Sequence, residues 1–134
     1  MGVALLDTSV VIAALNRDDA LHAEASRAVR DQRRRHALAI SVITYAEMLV
    51  GPLRAGARAV RLVDRFAAET RILDLQPEVA RAAAELRARR KLGLADAIVV
   101  ATGLYNGVDV ILTADTRWRG LSRVDVVAPA GGTA

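Results

Sequence analysis

The sequence predicts an α/β fold: a five-stranded, mostly parallel sheet sandwiched between helices in three layers. Three observations carry this. Five short apolar runs are continuous rather than alternating, as suits strands covered on both faces. Segments with helical periodicity separate them, and such alternation is the mark of parallel crossovers. The chain has 134 residues, 53% of them hydrophobic, which is one domain with a sizeable core.

The elements follow in order. Val3 to Leu6 reads as the first strand and ends on Asp7. Asp18 or Asp19 can cap a helix running to about Arg35, with Leu21, Ala25, Ala28 and Val29 on its apolar face. Leu38 to Ile40 is the second strand. Ser41 caps the next helix, expected to bury Val42, Ile43, Ala46 and Leu49 and to stop at Gly51-Pro52. Val60, Val63 and Ala67, flanked by Leu62 and Phe66, form another stripe. Ile72 to Leu75 is a third strand, interrupted by Asp74. Pro77 suits a first helical turn, where its missing N–H would be unpaired anyway. Val79, Ala83 and Leu86 face inward from that helix, which Gly93 ends. Leu94 to Tyr105 is the most apolar helix. Val108 to Leu112 and Val124 to Ala128 complete the strands, the last interrupted by Asp125. A single domain over residues 1–130 is expected, with a flexible tail at 131–134.

Composition excludes several chemistries. Without cysteine there can be no disulfide, thiolate zinc site or Cys nucleophile. Two histidines, His22 and His36, cannot make an all-imidazole metal site, and both are expected at the surface. No apolar run approaches the roughly 18 residues of a membrane span, and no basic segment precedes an apolar one as in a signal peptide. A cytoplasmic location is expected. The net charge is +4 with a pI near 10.6, carried almost wholly by arginine; Lys91 is the one lysine. A basic chain favours an acidic partner, and nucleic acid is the usual one.

In a parallel sheet, ligands sit beyond the carboxyl ends of the strands where strand order reverses. Four acids fall where they can reach such an edge. Asp7 follows the first strand in Leu6-Asp7-Thr8-Ser9. Glu47 lies two turns into the helix after the second strand. Asp96 opens the most apolar helix in Gly93-Leu94-Ala95-Asp96-Ala97. Asp115 follows the fourth strand in Leu112-Thr113-Ala114-Asp115. Each has an ordinary alternative: Asp7 as a helix cap, Glu47 as a solvated position, Asp96 as an acid at a positive helix end, Asp115 as a turn residue. Gathered at one edge, however, carboxylates raise one another's pKa and need a counter-charge. No arginine lies within a turn of Asp7, Glu47 or Asp96 in the sequence. A divalent cation is the simpler answer, and a donor set of oxygens alone suits Mg²⁺ or Mn²⁺. An acid-lined metal site on a basic protein points to phosphodiester chemistry.

At these residues the chain resembles the PIN-domain ribonucleases, and within them the VapC-type toxins of VapBC toxin–antitoxin pairs. The resemblance rests on Leu6-Asp7-Thr8-Ser9, on Ala46-Glu47 with Gly51, on Leu94-Ala95-Asp96-Ala97-Ile98, and on Leu112-Thr113-Ala114-Asp115 with Trp118. It implies a PIN-like sandwich in which the first and fourth strands end side by side. It further implies that Asp7, Glu47, Asp96 and Asp115 are the catalytic, metal-binding acids, with Ser9 and Thr113 as accessory polar residues. One or two Mg²⁺ or Mn²⁺ ions would then serve RNA hydrolysis, with Asp115 ligating directly or through water. A homodimer and a VapB-type antitoxin are implied as partners, and transfer RNA as a candidate substrate. A housekeeping RNA-processing nuclease and a catalytically silent RNA- or protein-binding module are the alternatives. A phosphate-receiver domain is disfavoured, because it needs a lysine after the fifth strand and Lys91 sits on a helix.

Two basic clusters and one aromatic remain. Arg87, Arg89, Arg90 and Lys91 suit a helix C-terminus, with a phosphate contact beside Asp96 as the functional alternative. Arg33-Arg34-Arg35 reads as a solvated helix end. Trp118 is expected to seal the core beneath the site rather than to stack on a base.

Overall fold

The computed structural model describes residues 2–129; the tail expected at 131–134 lies outside them. In chain order the elements are β1 (Gly2–Leu6), α1 (Thr8–Leu15), α2 (His22–Arg35), β2 (His36–Ser41), α3 (Val42–Ala55), α4 (Ala57–Ala68), β3 (Arg71–Leu73), α5 (Pro77–Arg89), α6 (Leu94–Tyr105), β4 (Val110–Thr113) and β5 (Val124–Val126). A single 3-10 turn, Thr116–Trp118, separates β4 from β5.

The strands form one sheet in the order β3-β2-β1-β4-β5, with every pairing parallel. The continuous apolar runs are explained by burial on both faces. Ala4, Leu6, Leu38, Ile40 and Leu112 point into a core closed by α1 to α4, through Val10, Val11, Val29, Met48 and Phe66. Leu5, Ala39 and Ile111 point the other way, into a core closed by α5 and α6 through Val79, Ala83, Val99 and Val100. These are the three layers the sequence predicts. The order reverses between β1 and β4, so the crevice beyond their carboxyl ends is the natural ligand site.

Four local expectations are corrected. The segment after Asp7 is a helix in its own right, α1, with Val10, Val11 and Ala13 buried. It is apolar nearly all round, so it carries little amphipathic signal. Helix α3 runs through Gly51-Pro52 to Ala55. Pro52 has no N–H to give the Met48 carbonyl, yet the helix carries it, and the chain breaks instead at Gly56, whose φ of 130° is one that side chains resist. The same helix buries Thr44 and Met48, while Val42 and Ala46 are exposed and Ile43 and Leu49 half-buried. Finally, His22 and His36 are half-buried rather than exposed; His22 Nδ1 lies 2.9 Å from the Ala13 carbonyl, and His36 Nδ1 2.8 Å from Gln32 Oε1.

Helix α6 is pressed hard onto the sheet. Six of its residues are buried, and a Cβ on Gly103 would come within 2.7 Å of Ile111 and 3.1 Å of Leu5. This close approach sets where Asp96, on the first turn of α6, meets the carboxyl edge. Trp118 is wholly buried in the same core, as expected of a residue sealing the floor below the site.

Candidate functional site

The β1 and β4 ends are locked together first. The Asp7 backbone N–H donates to the Leu112 carbonyl at 2.8 Å. Asp7 occupies the N-cap position of α1, but its side chain makes no capping hydrogen bond. Instead, Oδ2 accepts from the Ser9 hydroxyl and from the Thr113 hydroxyl, each at 2.8 Å. Those hydroxyls are themselves placed by backbone N–H groups: Ala114 donates to Ser9 Oγ at 3.0 Å and Asp115 donates to Thr113 Oγ1 at 3.1 Å. Oδ1 takes no side-chain hydrogen bond among the described residues. Asp7 is 5% exposed. Burial pushes its carboxyl above the usual range, against the hydroxyls of Ser9 and Thr113, and Glu47 adds to the rise.

Glu47 enters from α3 and is exposed. Its Oε1 accepts from the Thr8 hydroxyl at 2.6 Å. Asp96 enters from α6 and is half-buried. Burial raises its carboxyl first, then the charges of Asp7 and Asp115, with Glu47 adding less. Asp96 therefore feels the charges of the other three acids predicted from the sequence, and Asp7 that of Glu47. Among the described residues, no three acidic or histidine side chains close into a ready-made metal cage.

Asp115 differs from the others. Its Oδ1 accepts from the Arg117 backbone N–H at 2.9 Å, starting the 3-10 turn. Arg117 also grips both oxygens, with Nε 3.0 and 3.1 Å away and Nη2 2.6 Å from Oδ2. This fork holds the Asp115 carboxyl below the usual range. The indole N–H of Trp118 comes near enough to help slightly, but closes no hydrogen bond. The same Nη2 lies 4.0 Å from Asp96 Oδ2. Arginine therefore does reach the acids, by folding back from the 3-10 turn.

Sequence reasoning thus missed two residues, Thr8 and Arg117. Thr8 sits inside the first motif and could have been flagged as a hydroxyl beside an acid. Arg117 stands two residues after Asp115 and could have been flagged as its partner; only its approach to Asp96, 21 positions away, carried no signal. The cluster Arg87, Arg89, Arg90 and Lys91 is exposed, and Arg87 is spent on the Leu92 carbonyl at 2.8 Å.

The donor set fits a hard divalent cation. Every candidate ligand is a carboxylate or hydroxyl oxygen, Asp7 Oδ1 has no side-chain donor, and Asp7 and Asp96 are both raised, chiefly by burial and then by neighbouring acids. Mg²⁺ commonly uses one or two carboxylates and keeps waters, so the lack of a closed cage does not disqualify the site.

A five-stranded parallel sheet with its acids at the β1/β4 switch point defines a class of α/β domain, and the family model for the PIN domain matches residues 4–126. The chain belongs to the PIN domain family. Among solved structures it resembles a toxin–antitoxin complex from Klebsiella pneumoniae, with 26% identity, a TM-score of 0.79, and coverage of 92% of this chain and 96% of that one. It also shares its fold with VapBC2 from Rickettsia felis, bound to a promoter DNA fragment (16% identity, TM-score 0.76, 94% and 98% covered). A third such structure is VapC20 of Mycobacterium tuberculosis, described as a sarcin-ricin loop cleaving toxin (22% identity, TM-score 0.65, 81% and 86% covered). A comparison with curated proteins found no match.

Proposed function

We propose that this chain is a metal-dependent endoribonuclease and the toxin of a toxin–antitoxin pair. The observation that carries the reading is the state of Asp7 and Asp96: two carboxyls from different elements, both raised, facing the same strand-order switch. Protein folds do not gather uncompensated carboxylates without cost, and a divalent cation removes that cost. When bound, Mg²⁺ or Mn²⁺ supplies charge to the scissile phosphate and makes water nucleophilic at neutral pH. The chain's own residues do the positioning. Ser9 and Thr113 fix Asp7 through Oδ2 and leave Oδ1 without a side-chain donor, and Thr8 restrains Glu47. Asp96 is carried on the rigidly seated α6. Arg117 is the one cation in contact with the acids among the described residues, and it is exposed enough to meet an RNA phosphate.

The likeness to toxin–antitoxin structures supports the toxin role. So does an apolar groove of about 450 Å³ that runs up to Glu47, lined by Ile12, Leu15, Met48, Pro52 and Leu62, which suits a protein partner such as a VapB-type antitoxin. No helix among the described residues is long and apolar enough to cross a membrane. The test is RNA cleavage by the purified chain with Mg²⁺, with Mn²⁺ and with EDTA, beside growth of cells expressing the wild-type chain or its Asp7→Ala variant. Metal-dependent cleavage with arrest that Asp7→Ala relieves is expected. Cleavage undiminished in EDTA would overturn the metal mechanism, and equal arrest by Asp7→Ala would overturn the toxin role as catalysis.

A further inference from the structure

Behind Glu47 lies a line of hydroxyls that the acids alone do not explain. Thr8 Oγ1 is 2.6 Å from Glu47 Oε1 and 3.0 Å from Thr44 Oγ1. Thr44 Oγ1 is 3.2 Å from Ser41 Oγ, and Ser41 Oγ accepts the Thr44 backbone N–H at 3.1 Å as the N-cap of α3. Thr44 is 0% exposed and Ser41 1%, so both hydroxyls lie away from bulk solvent.

An ionised carboxylate only accepts, so the Thr8 hydroxyl donates to Glu47 at 2.6 Å, with Thr44 Oγ1 as its second, longer acceptor at 3.0 Å. Ser41 donates to Thr44 from the other side. The Thr8 hydroxyl is thus held between the Glu47 carboxylate and a buried hydroxyl pair, which limits its rotation.

We infer that Thr8, backed by Thr44 and Ser41, is a positioning residue that fixes the Glu47 carboxylate for a divalent cation. The inference rests on the metal-dependent reading above and adds to it a residue outside the acidic set. The need is physical. Glu47 is a long side chain on an exposed helical position, free to sample several rotamers. The Thr8 bond occupies Oε1 and leaves Oε2 for a ligand. It also crosses from α1 to α3, so the first and second strands' helices are held in register at the site. The device resembles the outer partners of metal ligands generally, which orient the ligand without touching the ion.

The experiment is a titration of the full chain with Mn²⁺, followed by the electron paramagnetic resonance of the free ion, for wild type, Thr8→Ser, Thr8→Val, Glu47→Gln, Asp96→Asn and the double variant Thr8→Val/Glu47→Gln. Thermal melts in EDTA accompany each. Thr8→Val keeps the side-chain shape and should weaken Mn²⁺ binding by about 10- to 100-fold. Thr8→Ser retains the hydroxyl and should bind within about twofold of wild type, inside the usual error of independent sites. On the Glu47→Gln background Thr8→Val should cost little more, because its effect passes through Glu47. Thr8→Val that binds like wild type, Thr8→Ser as weak as Thr8→Val, or the full loss repeated on the Glu47→Gln background would each overturn the inference. The parent reading fails separately: Asp96→Asn binding Mn²⁺ as tightly as wild type overturns it, and wild type binding none overturns both.

Discussion

The two halves of the acidic edge are built on opposite principles. Asp7 and Glu47 are held by hydroxyls: Ser9 and Thr113 on one, Thr8 on the other. Asp115 is held by a guanidinium, which reaches toward Asp96 as well. A hydroxyl orients a carboxylate and leaves its charge in place. An arginine orients it and cancels the charge. Asp7 accordingly stays raised despite its hydroxyls, because burial outweighs them, while Asp115 is lowered. The lesson is that neutral donors orient a carboxylate without supplying counter-charge, whereas the arginine does both.

The largest effect expected is on the charged groups themselves. Asp7→Asn and Asp96→Asn should each reduce RNA cleavage by more than about 100-fold, the upper end of what outer partners cost, measured as initial rates at saturating Mn²⁺. A loss confined to one of them would mean that the halves are not one site. Next is Thr113→Val. It removes one of the two donors to Asp7 and the acceptor of the Asp115 N–H, at a site with 0% exposure. It should lower stability by about 1–3 kcal/mol in urea unfolding and also weaken Mn²⁺ binding. Unchanged metal affinity would reduce Thr113 to a structural link.

Arg117→Gln should do the reverse and tighten Mn²⁺ binding about two- to fivefold, a small change because the side chain is exposed and solvent already screens it. Weaker binding would show that the arginine assists the cation instead of opposing it. The smallest effect separates Asp96 from Asp115 in EDTA. A carboxyl raised in the folded state costs stability above its unfolded pKa of 3.8, and that cost fades as pH falls toward that value. A lowered carboxyl contributes stability above 3.8 and loses it as pH falls through its folded value. At neutral pH, Asp96→Asn should therefore melt at or above the wild-type temperature and Asp115→Asn below it. Added Mn²⁺ should then raise wild type more than Asp96→Asn. If Asp96→Asn is markedly destabilised in EDTA, Asp96 is a structural cap.

Much of this was legible in the residues. Leu6-Asp7 and Leu112-Thr113 read directly as strand ends followed by polar groups, because a doubly covered strand must be apolar until it leaves the sheet. The Ser9 and Thr113 positions followed from the family resemblance, and the structure sets both against Asp7. Helix α3 was misread at both ends of the problem. Its apolar residues lie all round, so periodicity does not mark Thr44 as buried, and Gly51-Pro52 looks like a stop although the helix continues to Ala55. Thr44 is core because Thr8 and Ser41 satisfy its hydroxyl, a fact spread over three segments.

By itself the sequence determined the kinds of element, their order, and which acids follow the strands, since these depend on local periodicity and on the length of apolar runs. Only the tertiary structure decided that the Thr113 and Ser9 hydroxyls meet on Asp7, that Thr8 reaches across to Glu47, and that Arg117 comes within reach of Asp96. The reason is separation along the chain. A pair such as Thr113 and Asp7 stands 106 residues apart, and no local pattern encodes it. It exists because the strand order β3-β2-β1-β4-β5 carries the polar ends of β1 and β4 to the same edge.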